Sequence, residues 1–324
     1  MNPVLAGLRA AAEPTRLRLL ALCALGELTV SELTEILGQS QPRVSRHLKL
    51  LCDAGLLDRF REGSWVFYRL AERGRAGGLA RILVDLVPSD DAMLALDRER
   101  LAAIQHQRAE QATAYFRANA AQWDRIRSLY VAEGEVEAAL QKLLPLQGVH
   151  DLLDIGTGTG RILEIFGPRV ERAVGIDLSR EMLAVARVNL ERANLRNCSI
   201  RQADMYQLPL PGGSFDAVVI HQVLHYAERP DQVIAEAGRV LRPGGRLVIV
   251  DFAPHELEFL RSEHAHRRLG FADAEITGWC RAAGLEPEAV RHLPGDPLTV
   301  SLWPALRRVQ ADSNNRAAAL AEAS

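Results

Sequence analysis

The chain has 324 residues, 48% hydrophobic and 25% charged, which is the balance of a globular protein and excludes a mainly disordered one. At about 150 residues per domain the length points to two domains, and no apolar run reaches the roughly 18 residues a membrane span requires. The formal net charge of −2 hides a split: residues 1–75 carry 11 basic and 8 acidic side chains, a balance of +3, and the remainder carries −5.

Positive charge is almost all arginine, Lys49 and Lys142 being the only lysines. The N-terminal stretch meets Arg9, Glu13 and Pro14 too early for a secretory h-region, so a cytoplasmic location without membrane association is expected. Cys23, Cys52, Cys198 and Cys280 are scattered, with no CxxC and no Cys/His spacing suited to zinc. They read as small buried hydrophobes, and no metal is expected.

Residues from about 5 to 72 read as short helices followed by a hairpin. In TVSELTEILG, Thr29 or Ser31 starts a helix, Val30, Leu33, Ile36 and Leu37 fall at helical spacing, and Gly38 stops it. QSQPRVSRHLKLLCDAGLL follows, with Ser40 as N-cap, Pro42 in the first turn and Val44, Leu48 and Leu51 at i, i+4, i+7. DRFREGSWVFYRL then gives two extended arms about Glu62-Gly63-Ser64. The second helix carries Ser40, Gln41, Arg43, Ser45, Arg46, His47 and Lys49 on its polar side, with no acid between Ser40 and Leu51. Arg and Lys suit phosphates and guanine edges, and Gln suits adenine. Arg59, Arg61 and Arg69 in the hairpin add positive charge beside it. A solvated face is the plain alternative for a charge run alone. An uninterrupted basic helix beside a basic hairpin, in a helix-turn-helix frame, favours double-stranded DNA.

Residues 75 to about 148 are helical in pattern and rich in Ala, Arg and Glu, a connector with helices of its own rather than a Gly/Ser linker. From about 149, apolar strands alternate with helices, which predicts a parallel sheet covered on both faces. LEPEAVRHLPGDPLTVSLWPAL reads as two late strands about Pro294-Gly295-Asp296, and the tail from residue 311 as disordered.

LLDIGTGTG puts Asp154, Gly156, Gly158 and Gly160 at a strand end, where glycine lets the backbone turn tightly and approach a ligand. Asp177 follows 21 residues after Gly156, placed to accept both hydroxyls of a ribose. Asp204 follows the third strand, where an acid can accept an adenine amine. The structural alternatives are a helix N-cap for Asp177 and a turn residue for Asp204. A dinucleotide loop would need a third glycine where Arg161 stands, so the loop suits a nucleoside with an amino-acid end.

On these residues the chain resembles two families. Residues from about 112 to 305 resemble class I S-adenosylmethionine-dependent methyltransferases: Asp154 and its loop, Asp177, Asp204-Met205, the LRPGG lead-in and YFRANAAQWD as an N-terminal lid helix. Residues 5–72 resemble the bacterial ArsR-type winged helix regulators, which bind DNA as homodimers. That family's metal sensors carry a cysteine pair where Thr29-Val30-Ser31 stands here, so soft-metal sensing is not expected.

The implied fold is α/β overall: a winged helix-turn-helix (α+β) over 1–74, a helical connector over 75–111, a Rossmann-like seven-stranded methyltransferase domain over 112–310, and a disordered tail over 311–324. The implied ligand, S-adenosylhomocysteine or S-adenosylmethionine, is assigned to Asp154, Gly156, Thr157, Gly158, Gly160, Asp177, Leu178, Ala203, Asp204, Met205 and His221. His221 and His225 are the candidate catalytic bases, although a structural or ligand-packing role is the favoured reading of them. His264 and His266, two apart, cannot point from one helix face at a metal. The composite resembles S-adenosylhomocysteine-responsive repressors of the methionine and methyl cycle. An active small-molecule methyltransferase with an autoregulatory DNA-binding domain shares every one of these motifs.

Overall fold

The computed structural model of the protein describes residues 2–62, 65–71, 74–88, 90–127, 132–264 and 266–308. The chain divides into two compact units, Met1–Arg117 with Ser179–Gln202, and Ala118–Leu178 with Ala203–Ser324.

The first unit begins with α1 (Asn2–Ala11) and α2 (Pro14–Cys23), the latter capped by the Glu13 side chain, which accepts from Arg16 N. After the two-residue β1 (Leu28–Thr29), α3 (Val30–Leu37) opens on a capping box: Thr29 accepts from the Glu32 backbone and Glu32 reaches back to Thr29 N. Gly38, left-handed at φ +61°, ends it. Then comes α4 (Gln41–Asp53), with Ser40 at the N-cap position but making no side-chain capping bond. Val44, Leu48 and Leu51 are fully buried among Leu19, Leu20, Leu33 and Ile36, as their spacing predicts. β2 (Leu57–Glu62) and β3 (Trp65–Leu70) form the hairpin, β1 pairing with β3 on its other side. Residues 63 and 64 of the expected turn lie outside the described residues.

α5 (Gly74–Asp85) packs on α1, where a Cβ on Gly7 would fall 2.6 Å from Leu79 Cδ2. α6 (Ala92–Arg127) is one 36-residue helix running through 111 and including the YFRANAAQWD stretch. Arg18 grips Asp97 at its start through two 2.6 Å hydrogen bonds.

In the second unit α7 (Glu133–Leu143) leads to β4 (Asp151–Ile155), α8 (Arg161–Phe166) and β5 (Arg172–Asp177). α9 (Arg180–Arg192) and β6 (Cys198–Gln202), next in the chain, group with the first unit. The second unit resumes with β7 (Phe215–His221), α10 (Pro230–Val240), β8 (Leu241–Phe252), α11 (Phe259–His264), α12 (Asp273–Ala282), β9 (Leu285–Pro287), β10 (Arg291–Leu293) and β11 (Val300–Arg307).

The sheet runs β10-β11-β8-β7-β4-β5-β6, with β9 pairing on β11 as an eighth strand. The β4–β5, β4–β7 and β7–β8 pairs are parallel, whereas β11 lies antiparallel to β8. The expected parallel sheet is therefore mixed at one end: β10 and β11 pair antiparallel across a connection too short for a helical crossover, and β11 also lies antiparallel to β8. Leu153, Ile155, Val174, Ile176, Val218, Ile220, Leu247 and Ile249 are buried between covering layers, which is why these strands read as continuous apolar runs. The LRPGG lead-in falls within β8, with Gly244 at φ +80°. Three of the four cysteines, Cys23, Cys198 and Cys280, are buried. The tail from 311 lies outside the described residues.

Candidate ligand site and DNA-facing surface

The second unit's parallel strands end together, and the loop after β4 turns there through three glycines at φ +74°, +52° and +84° (Gly156, Gly158 and Gly160). The backbone of Gly156 and Thr157 is tied to β5, both N–H groups donating to Ile176 O at 2.8 and 2.7 Å. A Cβ on Gly156 would lie 2.5 Å from Val223 Cγ2, so packing excludes any other residue. Gly158 differs: nothing among the described residues stands within 4 Å of where its Cβ would be, and its N–H donates to Asp177 Oδ2 at 2.9 Å. The loop is thus backed by protein at its base and open at its tip.

Asp154 is completely buried, and neither carboxylate oxygen has a hydrogen-bond partner among the described residues. Burial pushes its carboxyl up to about 7; the Thr157 hydroxyl works against this and the charge of Asp177 adds to it. A buried acid helped, among the described residues, by no more than the nearby Thr157 hydroxyl is an unmet demand for a cationic or donor group. Arg161 does not supply it, because its guanidinium is forked onto Glu137 at 2.6 and 2.8 Å.

Asp177 is not the cap of α9. That position belongs to Ser179, whose hydroxyl accepts from Met182 N. Asp204 does serve its turn, Oδ1 accepting from Tyr206 N at 2.9 Å, while Ala203 N donates to Asp177 O at 3.1 Å. Leu178 is 69% exposed; Ala203 and Met205 are half-buried against the core. His221 ends β7 with Nε2 buried and unpartnered among the described residues, and burial lowers its imidazole to about 4. It is neutral near pH 7.

Sequence reasoning offered His221 and His225 as equals, and the structure separates them. His225 is buried; its Nδ1 lies 2.8 Å from Asp251 Oδ1 and its backbone N–H donates to Asp251 Oδ2. Asp251 thus holds the ring through Nδ1 and not through Nε2. The His225 ring stacks on His266 at 4.0 Å, and burial, reinforced by His225, lowers the His266 imidazole to about 3. His264 ends α11 and His266 follows it, both buried. Asp251 was missed; its signal was an acid closing the apolar run VIVDF.

In the first unit, Ser40, Gln41, Arg43, Arg46 and Lys49 of the α4 region are exposed, as are Arg59 and Arg61 on β2. Ser45 is half-buried, and His47 turns inward, Nδ1 lying 3.7 Å from Glu13 Oε2. Arg69, expected to flank DNA, is buried: it shares the inner face of β3 with Phe67 and pairs with Glu27 at 3.7 Å. Strand alternation sends Arg59 and Arg61 to the face opposite Phe60.

Residues 153–249 match the family model described as "Methyltransferase domain", and residues 13–59 match "Bacterial regulatory protein, arsR family". Demethylmenaquinone methyltransferase of Deinococcus radiodurans is 35% identical over 182 residues, 53% of this chain and 72% of that protein. The chain joins an ArsR-family DNA-binding domain to a class I methyltransferase domain. An uncharacterised methyltransferase of Bacillus subtilis is 32% identical over 126 residues, 39% of this chain, and the chain spans half of that relative's length. Among solved structures, a chain in the complex between the Haloferax volcanii Trm112 methyltransferase activator and a methyltransferase superposes with a TM-score of 0.50 at 21% identity, covering 60% of this chain and 97% of that one; the likeness shows the fold. Among the described residues no group of His, Cys, Asp and Glu is arranged to hold a metal ion, and no helix is long and apolar enough to cross a membrane.

Proposed function

We propose that the protein is a transcriptional regulator, a repressor, whose methyltransferase domain binds S-adenosylhomocysteine or S-adenosylmethionine and thereby sets its affinity for operator DNA in methionine and methyl-cycle control. The observation carrying this reading is the coexistence in one chain of an exposed basic recognition helix and a buried acid whose carboxylate oxygens lack a hydrogen-bond partner within bonding geometry among the described residues, beside a glycine loop that those residues leave open at its tip. The residues fit the ligand. Asp154 answers its amino-acid ammonium, Gly158 admits the chain passing the loop tip, Asp177 takes the ribose hydroxyls, and Ala203, Asp204 and Met205 lie on the adenine side. Homodimerisation is supported by Val4, Leu5 and Leu8 on α1, Ile82 on α5 and Leu86 just after α5, large apolar side chains left exposed on or beside neighbouring helices.

A second reading is favoured by His225 and Asp251, whose pairing is that of a general base with its orienting acid: methyl transfer from S-adenosylmethionine to a small acceptor. What the ligand would supply when bound is an electrophilic methyl group; the chain would position the acceptor and take up its proton at His225 Nε2.

Calorimetric titration of the full-length protein with each ligand, beside operator binding measured on a duplex selected from random sequence, tests the regulator. Failure of either binding sinks it. Formation of S-adenosylhomocysteine from S-adenosylmethionine on adding acceptors, abolished in His225→Ala, would establish the enzyme.

A further inference from the structure

Residues 179–202 sit in the chain between the two acids assigned to the ligand. The segment begins directly after Asp177 and Leu178 and ends directly before Ala203 and Asp204. Yet α9 and β6 belong to the same compact unit as the winged helix. Within that unit they are fastened to the wing by a buried ionic joint. Glu27, just before β1, receives Arg201 of β6 at 2.7 Å, Arg187 of α9 at 3.4 Å and Arg69 of β3 at 3.7 Å. Arg201 lies 3.3 Å over the Phe60 ring of β2 and Arg187 4.1 Å over Phe67 of β3, two rings that stack on each other at 5.5 Å. Arg108 of α6 adds a second tie, bridging Glu32 of α3 and Glu191 of α9 at 2.7 Å each.

We infer that residues 179–202 carry ligand occupancy to the DNA-binding wing, with Glu27, Arg187 and Arg201 as the joint. The inference rests on the regulator reading. The physical case lies in the kind of contact. An apolar seam tolerates sliding, because one apolar neighbour replaces another at little cost. A buried carboxylate held by three guanidinium groups does not, because displacement leaves charge unpaired away from water. Movement imposed at Asp177 or Asp204 therefore passes into β2 and β3 instead of being absorbed at the seam. Phe60, which Arg201 covers, alternates along β2 with Arg59 and Arg61, so a shift at the joint re-aims the two arginines assigned to the DNA backbone.

The test uses the full-length protein and two substitutions, Arg201→Met and Glu27→Gln. Operator affinity is measured by anisotropy with and without saturating S-adenosylhomocysteine, and ligand affinity by calorimetry. In wild type the ligand is expected to shift operator affinity by about 5- to 150-fold. Arg201→Met is expected to bind operator and ligand separately within about threefold of wild type while the shift shrinks to twofold or less. A folded variant that keeps the full shift overturns the joint. A wild-type protein that binds both partners without any shift overturns the regulator reading, and the joint with it. Should both variants unfold, hydrogen exchange on the wild-type protein decides: ligand should change protection in residues 57–62 and 65–70, and unchanged protection there refutes the inference.

Discussion

The Asp177 carboxylate accepts a hydrogen bond from the Gly158 backbone N–H at 2.9 Å, so the side chain proposed to hold the ribose also fixes the tip of the glycine loop. Loop shape and ligand contact therefore depend on the same side chain. Asp177→Ala should lower S-adenosylhomocysteine affinity by about 30- to several-hundredfold, the loss of one or two charge-assisted hydrogen bonds. Operator affinity without ligand should stay at the wild-type value. Calorimetry beside anisotropy checks both; unchanged ligand affinity would remove Asp177 from the site.

Asp154 gives the site a pH dependence. Burial raises its carboxyl from 3.8 to about 7 in the folded chain, so folding takes up a proton between those values, and the residue's contribution to stability declines as pH rises through that window. Without ligand, wild type should lose about 1.4 kcal/mol per pH unit relative to Asp154→Asn across it, measured by chemical denaturation. An ammonium beside Asp154 requires the carboxylate, so ligand affinity should fall up to about tenfold per unit below pH 7 in wild type and stay flat in Asp154→Asn. Parallel pH profiles for the two proteins would contradict this.

The two faces of the hairpin separate arginines that look alike in the sequence. Arg46→Ala should weaken operator binding by about 5- to 150-fold and reduce the salt dependence by about one ion. Arg69→Met should instead lower the melting temperature, because it strips a partner from Glu27, whose carboxyl burial pushes up and Arg201, Arg187 and Arg69 hold below its ordinary value. A stable Arg69→Met protein with selectively lost operator affinity would reverse this assignment.

Ile82 is 57% exposed on α5, beside the exposed apolar residues of α1. Ile82→Glu should turn a dimer into a monomer in sedimentation equilibrium and weaken operator binding, since two half-sites would no longer be engaged together. Retention of the dimer would place the interface elsewhere.

What was legible in the sequence follows from range. The capping box of Thr29 and Glu32, the stop at Gly38 and the Val44-Leu48-Leu51 stripe are local features, and each sits where its spacing puts it. The glycine loop and Asp177 were legible because strand ends in a parallel sheet converge, so order along the chain stands in for proximity. Contacts between distant segments were not legible. Arg69 was misassigned because its partner, Glu27, lies on another segment, and the other two partners of Glu27, Arg187 and Arg201, are more than 150 residues from Glu27. His225 was chosen over His221 by Asp251, 26 residues on, and nothing local in HQVLHY distinguishes the two.

The central claim is that ligand in the Asp154–Asp177 site alters DNA binding by the recognition helix. The direct measurement is operator affinity of the full-length protein across a titration with S-adenosylhomocysteine, repeated with Asp177→Ala. The account predicts release, a fall in operator affinity of at least about fivefold at saturation, with the midpoint displaced to higher ligand concentration in the variant. Operator affinity unchanged at a concentration where calorimetry shows the site filled would contradict it.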